Sequence, residues 1–378
     1  MADKASKVRL SKCAMGPGEQ AAVAEVLKKE YLGMGEETRA LESEIAAYIG
    51  GGRSVTCVAT GTAALQLAVQ GCGIGRGDEV IVPSLTFVSC FQAIAATGAT
   101  PIACEVLAET ATIDLEDAAR RITPRTRAIM PIHYASFLPN VDAIYDFARS
   151  HNLRVIEDAA HSFGGTRDGA KIGSVGDVLC FSFDGIKNIT TGEGGAVVTS
   201  DPEVQRIVED ARLLGVERDT AARYRGERSW EFDVTGAGWR YHMSNIFAAI
   251  GRVQLKRLDT EFAPRRVALA QQYREALTGV TGLALFDSNL GPVVPHIQPV
   301  RILGGQRDRV QKVLDESGIE TGLHYKPNHL LTAFAASGVS LPVTERLYEE
   351  LLTLPLHVDL TADEVSRVTG KLIEAVAA

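Results

Sequence analysis

The chain has 378 residues, of which 46% are apolar and 23% charged, and its formal net charge is −8 at neutral pH. That length and mix fit a soluble α/β protein with a substantial core. The acidic balance excludes the broad basic face that nucleic acid requires, and no uninterrupted apolar run is long enough to cross a membrane.

The opening segment, MADKASKVRLSKCAM, lacks the apolar stretch of a secretory signal. Gly16-Pro17-Gly18 then punctuates the entry to a helix, EQAAVAEVLKKEYL, which LGMGEE breaks. TRALESEIAAYIG places Leu41, Ile45, Ala46 and Ile49 at helical spacing. From there strands and helices alternate. SVTCVA, DEVIVPS, TPIACEV, RAIMPIHY and LRVIEDAA are apolar and strand-like, and TAALQLAVQGCG, FVSCFQAIAATG, DLEDAARRI and NVDAIYDFARSH read as helices between them. This rhythm predicts a mostly parallel sheet covered by helices on both faces.

After Asp201 the pattern changes. A helix, PEVQRIVEDARLLG, leads into a long polar stretch, VERDTAARYRGERSWEFDVTGAGWR, which is too aromatic for a plain linker and reads as a functional loop. Residues 244–277 read as a helix, a break at Pro264 and a second helix. The remainder offers a strand, VVPHIQPVRIL, a helix, RDRVQKVLDESG, and a final helix from Ala362. We expect a large domain over residues 1–255 and a smaller α+β domain over 256–378.

The six cysteines (Cys13, Cys57, Cys72, Cys90, Cys104 and Cys180) are scattered and form no CxxC pair. They read as small apolar fillers in a reducing, cytoplasmic setting, and no metal site is expected.

The chemistry concentrates around Lys187, in CFSFDGIKNITTGEGGAVV. A solvated surface lysine is the plainer alternative. The buried-looking FSF and GGAVV on either side argue for a partly desolvated amine, which can attack an aldehyde to give a Schiff base. Asp158, in VIEDAAH, follows a strand, where α/β sheets place their ligand crevice. It is either a helix N-cap or the carboxylate that pairs with a protonated pyridine nitrogen. Glu157 points the other way if the strand continues. Thr60-Gly61-Thr62 precedes a helix whose free amides suit a phosphate, and Ser182 is a further donor. Phe87 is either a core residue or a ring that stacks on a flat cofactor. His161, one helical turn beyond Asp158, faces the same space. Together these are the parts for pyridoxal 5'-phosphate.

The segments GTAAL (61–65), DEVIVPSLTF (78–87), IEDAAHSFGG (156–165), FSFDGIKNITTGEGGAVVT (181–199), RYHMSNIFAAIGRVQL (240–255) and GLHYKPNH (322–329) resemble the DegT–StrS sugar aminotransferases. These are fold-type I enzymes, so the resemblance implies an aspartate aminotransferase-like large domain with a seven-stranded type of sheet and a smaller C-terminal α+β domain. It implies that Lys187 bonds the cofactor and acts as general base and acid, with Asp158 on the ring nitrogen. It also puts Phe87 on the ring face, Thr62, Ala63 and Ser182 on the phosphate, and His161 near the ring oxygen. Family members are homodimers with shared sites, and their GxNxRM motif sends an asparagine into the neighbour's phosphate site. Here the motif reads GWRYHM, so Arg240 replaces that asparagine and His242 the arginine. Related dehydratases carry histidine in place of the lysine; Lys187 marks a transaminase.

The implied substrates are L-glutamate and a nucleotide-linked keto sugar, in polysaccharide or glycosylated-metabolite synthesis. Candidate cations for their anionic ends are Arg223, Arg225, Arg228 and Lys326, beside His324 and Tyr325. The alternatives are a transaminase of a cyclitol or other non-nucleotide carbonyl, a desulfurase or lyase, and a cofactor-binding regulator without turnover.

Overall fold

The computed structural model describes residues 7–217, 219–225, 227, 232–234, 236–287, 293–335 and 338–378. Seven strands form its main sheet: β1 (Ser54–Val58), β2 (Glu79–Pro83), β3 (Thr100–Cys104), β4 (Thr126–Ile129), β5 (Arg154–Asp158), β6 (Val178–Ser182) and β7 (Gly195–Thr199). Their order across the sheet is β1-β7-β6-β5-β4-β2-β3. All pairings are parallel except the two made by β7, which runs against β1 and β6. This is the mostly parallel sheet that the apolar strand runs predict.

Both faces are covered, and β6 shows why its sequence is apolar throughout. Val178 and Cys180 pack with Ala64, Leu67 and Ala68 of the helix Gly61–Gly71. Leu179 and Phe181 pack on the other face with Leu41, Ile45 and Phe163. Successive side chains of a strand point to opposite faces, so a strand buried on both sides cannot alternate apolar and polar residues.

A second sheet, antiparallel, joins β8 (Leu283–Ala284), β9 (Gln298–Ile302) and β10 (Leu351–Leu354) in that order. Val300, Ile302, Leu352 and Leu354 share its core with Tyr273, Leu314 and Leu372, from the helices Ala263–Leu277, Arg307–Glu316 and Ala362–Ala377.

Three local expectations are corrected. The expected break at Pro264 is instead a π-helical turn, Leu258–Phe262, through which the helix Asn245–Arg257 runs on into Ala263–Leu277. VVPHIQPVRIL is a strand only from Gln298, because Val293–Ile297 is drawn toward the main sheet's loops. The polar stretch after Val216 contains a short helix, Asp219–Tyr224. Fully buried Arg212 fastens it: Nη2 donates to Tyr224 Oη at 2.8 Å, and Nη1 to Glu42 Oε1 at 2.6 Å and to the Cys57 carbonyl at 2.7 Å.

Candidate active site

Sheet register brings the first group of residues together. Asp158 ends β5 beside Cys180, Ser182 ends β6 beside Gly195, and Gly195 also pairs with Val58, the end of β1. Asp158, Ser182 and the Thr60-Gly61-Thr62 turn therefore share one edge of the sheet, at the carboxyl ends of its parallel strands, where α/β proteins open their crevice. Glycine is needed there. A Cβ at Gly61 would lie 2.8 Å from Ser182 Cβ, and one at Gly195 would lie 2.5 Å from the Thr60 carbonyl oxygen.

The edge forms one side of a cavity of about 430 Å³, also lined by Phe87, His161, Lys187, His324 and Tyr325. Lys187 follows the turn after β6, and its N–H is bonded to the Asp184 carbonyl at 3.0 Å. Among the described residues, Nζ has one hydrogen-bond partner, His296 Nε2 at 3.5 Å. Burial pushes the Lys187 amine down to about 8, against the upward pull of Asp158 and Asp184.

Asp158 is buried. Its Oδ2 accepts from the Cys90 thiol at 2.9 Å and its Oδ1 from the Ala160 N–H at 3.0 Å. No helix follows, so the N-cap alternative falls away. Glu157 is engaged elsewhere, with His133 Nε2 at 3.0 Å and the Tyr145 hydroxyl at 2.8 Å.

His161 lies in a turn, not one helical turn past Asp158, yet it reaches the cavity. Its Nδ1 accepts the Ala135 N–H at 3.2 Å, which leaves Nε2 to donate to Tyr325 Oη at 3.1 Å. Burial and the charge on Lys187 hold this imidazole well below its ordinary value. The Ala135 amide is aimed by two consecutive left-handed residues, Ala135 (φ 53°) and Ser136 (φ 72°). Such backbone persists where surrounding contacts over-determine it; here Ser136 Oγ is bonded to the Val294 carbonyl and the His296 N–H.

The far wall comes from the end of the chain. The Tyr134 hydroxyl donates to the His324 carbonyl at 2.6 Å, and Asn328 Nδ2 to the carbonyls of Ser84 and Thr86 at 3.1 and 2.8 Å. These bonds set Tyr325 against Phe87, with ring centroids 5.5 Å apart. Phe87 is 54% exposed, so it is a wall of the cavity and not a core residue.

Residues 14–373 match the model of the DegT/DnrJ/EryC1/StrS aminotransferase family. The chain belongs to this family. It is similar to the aminotransferase TlmJ from Streptoalloteichus hindustanus, at 34% identity and a TM-score of 0.90 over 98% of this chain and 99% of that one. It resembles the sugar aminotransferase CalS13 from Micromonospora echinospora, at 28% identity and a TM-score of 0.88 over 97% and 99% of the two chains. It also resembles Spr1654 from Streptococcus pneumoniae in its PLP-form, at 26% identity and a TM-score of 0.89 over 98% and 99%.

The protein is thus a pyridoxal phosphate-dependent aminotransferase of fold type I. Its own residues fit that cofactor. The Lys187 amine is largely desolvated and carries no carboxylate ion pair among the described residues. At the start of the helix Gly61–Gly71, Thr60 Oγ1 caps the Ala63 N–H at 3.0 Å, which leaves the amides of Gly61 and Thr62 open toward the cavity. Ala63 itself does not line the cavity.

Other expected site residues of this aminotransferase lie elsewhere in the single chain. Arg240 is exposed, with its backbone bridged to Leu213. Lys326 is exposed beside the cavity residues His324 and Tyr325 but does not line it. Arg223 and Arg225 line a separate cavity of about 220 Å³ with Lys29 and Glu37. Arg228 lies outside the described residues. Two contacts were not foreseen from sequence: His296, beside Lys187, and Cys90, beneath Asp158.

Proposed function

We propose that this aminotransferase moves an amino group from L-glutamate to a keto sugar carried on a nucleotide, and that it works as a homodimer with shared sites. The observation that carries the reading is the half-buried Lys187 amine, pushed by desolvation down to about 8 and facing a cavity roomy enough for a cofactor and part of a substrate. The likeness to a named sugar aminotransferase supports the substrate class.

When bound, pyridoxal phosphate supplies an aldehyde carbon that bonds amines and a protonated ring that draws electrons from the bond being broken. Lys187 Nζ would hold that carbon, and its free amine would take and return a proton as general base and acid. Asp158 would keep the proton on the ring nitrogen. The open amides of Gly61 and Thr62, with the hydroxyls of Thr62 and Ser182, receive the phosphate, and Phe87 covers the ring. His161, fixed by the Ala135 amide and neutral, holds Tyr325 Oη in place without adding charge.

Lys187 is the sole lysine or arginine among the described lining residues. The anionic ends of the substrates therefore need cations from outside this lining, and Arg223, Arg225 and Arg240 of a second copy are the candidates that the dimer would supply. The same observation favours one second reading, an uncharged cyclitol ketone as the acceptor. Incubation with glutamate and a panel of nucleotide-linked keto sugars and cyclitol ketones, read by product mass, decides between them. Amination of a nucleotide-linked member is the expected result. Amination confined to free cyclitols would replace the proposal, and amination of neither class would refute both readings.

A further inference from the structure

Cys90 lies in the first turn of the helix Ser89–Ala96, three residues past Phe87, and is fully buried. Its thiol donates to Asp158 Oδ2 across 2.9 Å, and Thr86 Oγ1 lies 3.4 Å from the same sulfur. A thiol has one hydrogen, and here it is committed to the carboxylate, so the threonine hydroxyl is the donor to sulfur. Donors thus run from Thr86 to Cys90 to Asp158. The second carboxylate oxygen takes the Ala160 N–H at 3.0 Å. Two donors from separate segments fix the rotation of the carboxylate. Burial, and then the charge on Asp158, push the Cys90 thiol well above its ordinary value, so it stays protonated and remains a donor.

We infer that Cys90 is a positioning residue for Asp158: its S–H holds the carboxylate so that the remaining lone pairs face the ring nitrogen of the cofactor. The inference rests on the role of Asp158 proposed above. A thiol suits this task because it is a weak donor. It orients the carboxylate while withdrawing little of the negative charge that keeps the ring protonated.

Two measurements test this. The first is the infrared S–H stretch of the holoenzyme, assigned as the band missing from Cys90→Ala. It should move when Asp158→Ala removes the acceptor. The second is the rate at which pyridoxal phosphate leaves the holoenzyme, followed by visible absorbance. Cys90→Ala should release it about tenfold faster, the scale of one lost hydrogen bond to a charged group. Cys90→Ser, which keeps a donor, should restore the rate to near the wild-type value, whereas Cys90→Val, which fills the space without a donor, should not. An S–H band that ignores Asp158→Ala overturns the proposal. So does a shifted band with unchanged release from Cys90→Ala. If Asp158→Ala itself releases the cofactor no faster than wild type, the placement of Asp158 has failed, and the proposal falls with it even where the infrared shift is present.

Discussion

The two walls of the cavity differ in how they treat charge. The sheet-side wall carries Asp158 and Lys187, a buried acid and a half-buried, largely desolvated amine that follows the turn after β6. The other side, formed by His161, His324 and Tyr325 with His296 packed against His161, is polar but neutral. Burial depresses His324 to about 4 and holds His161 and His296 well below the ordinary value, in each case with the charge on Lys187 as a further cause. It also pushes the Tyr325 hydroxyl well above its ordinary value, so the phenol stays protonated. The contrast separates work. On the proposed reading, one wall would move protons and hold a charged ring, and the other would shape the space without competing for the charge.

The largest expected effect tests the charged wall. Asp158→Asn keeps the shape but removes the negative charge, and turnover should fall by about a hundredfold to a thousandfold, the scale seen when one preorganised electrostatic group is lost. A loss under about tenfold in a variant that still binds pyridoxal phosphate would show that the carboxylate does not carry this role.

The next effect concerns the amine itself. In cofactor-free protein, Lys187 has a folded value of about 8 against 10.5 for an ordinary lysine. The unfolded chain therefore binds the proton more tightly, and wild-type stability should rise with pH between about 8 and 10.5. Lys187→Met has no such proton. It should be the more stable form at pH 7, by up to about 3 kcal/mol, with the gap closing toward pH 10.5. Urea unfolding of the two cofactor-free proteins at several pH values measures this. A gap independent of pH would contradict the burial argument.

The smallest effect belongs to the neutral wall. His324→Gln should lower turnover by less than about tenfold, the scale of one neutral hydrogen bond, and should leave the shape of the pH profile between 6 and 9 unchanged. His324 is already uncharged above about 4. Loss of an acidic limb in the variant would show that this wall titrates during turnover, and the contrast between the walls would fail.

Much of the charged wall was legible in the sequence, because it lies at strand ends. β5 and β6 read as strands that stop at Asp158 and Ser182, and a parallel sheet brings such ends to one edge. The start of the helix Gly61–Gly71 was legible for the same reason. The neutral wall was less so. His296 sits inside VVPHIQPVRIL, which reads as one strand, and its contact with Lys187 spans 109 residues, a pairing that no local pattern encodes. Cys90 reads as an apolar helix residue until Asp158, 68 residues away, is placed against it. His161 reaches the cavity through a turn, although its spacing suggests a helix. His324 and Tyr325 came from the family resemblance alone, since the bonds that hold them run to Tyr134, Ser84 and Thr86.

The covalent role of Lys187 underlies every other assignment in the site. Reduction of the holoenzyme with borohydride, followed by mass mapping of its peptides, tests this directly. The reduced cofactor should be found on Lys187 Nζ and should be absent from Lys187→Ala. A label on a different lysine, or a reducible adduct that survives Lys187→Ala, would contradict the account.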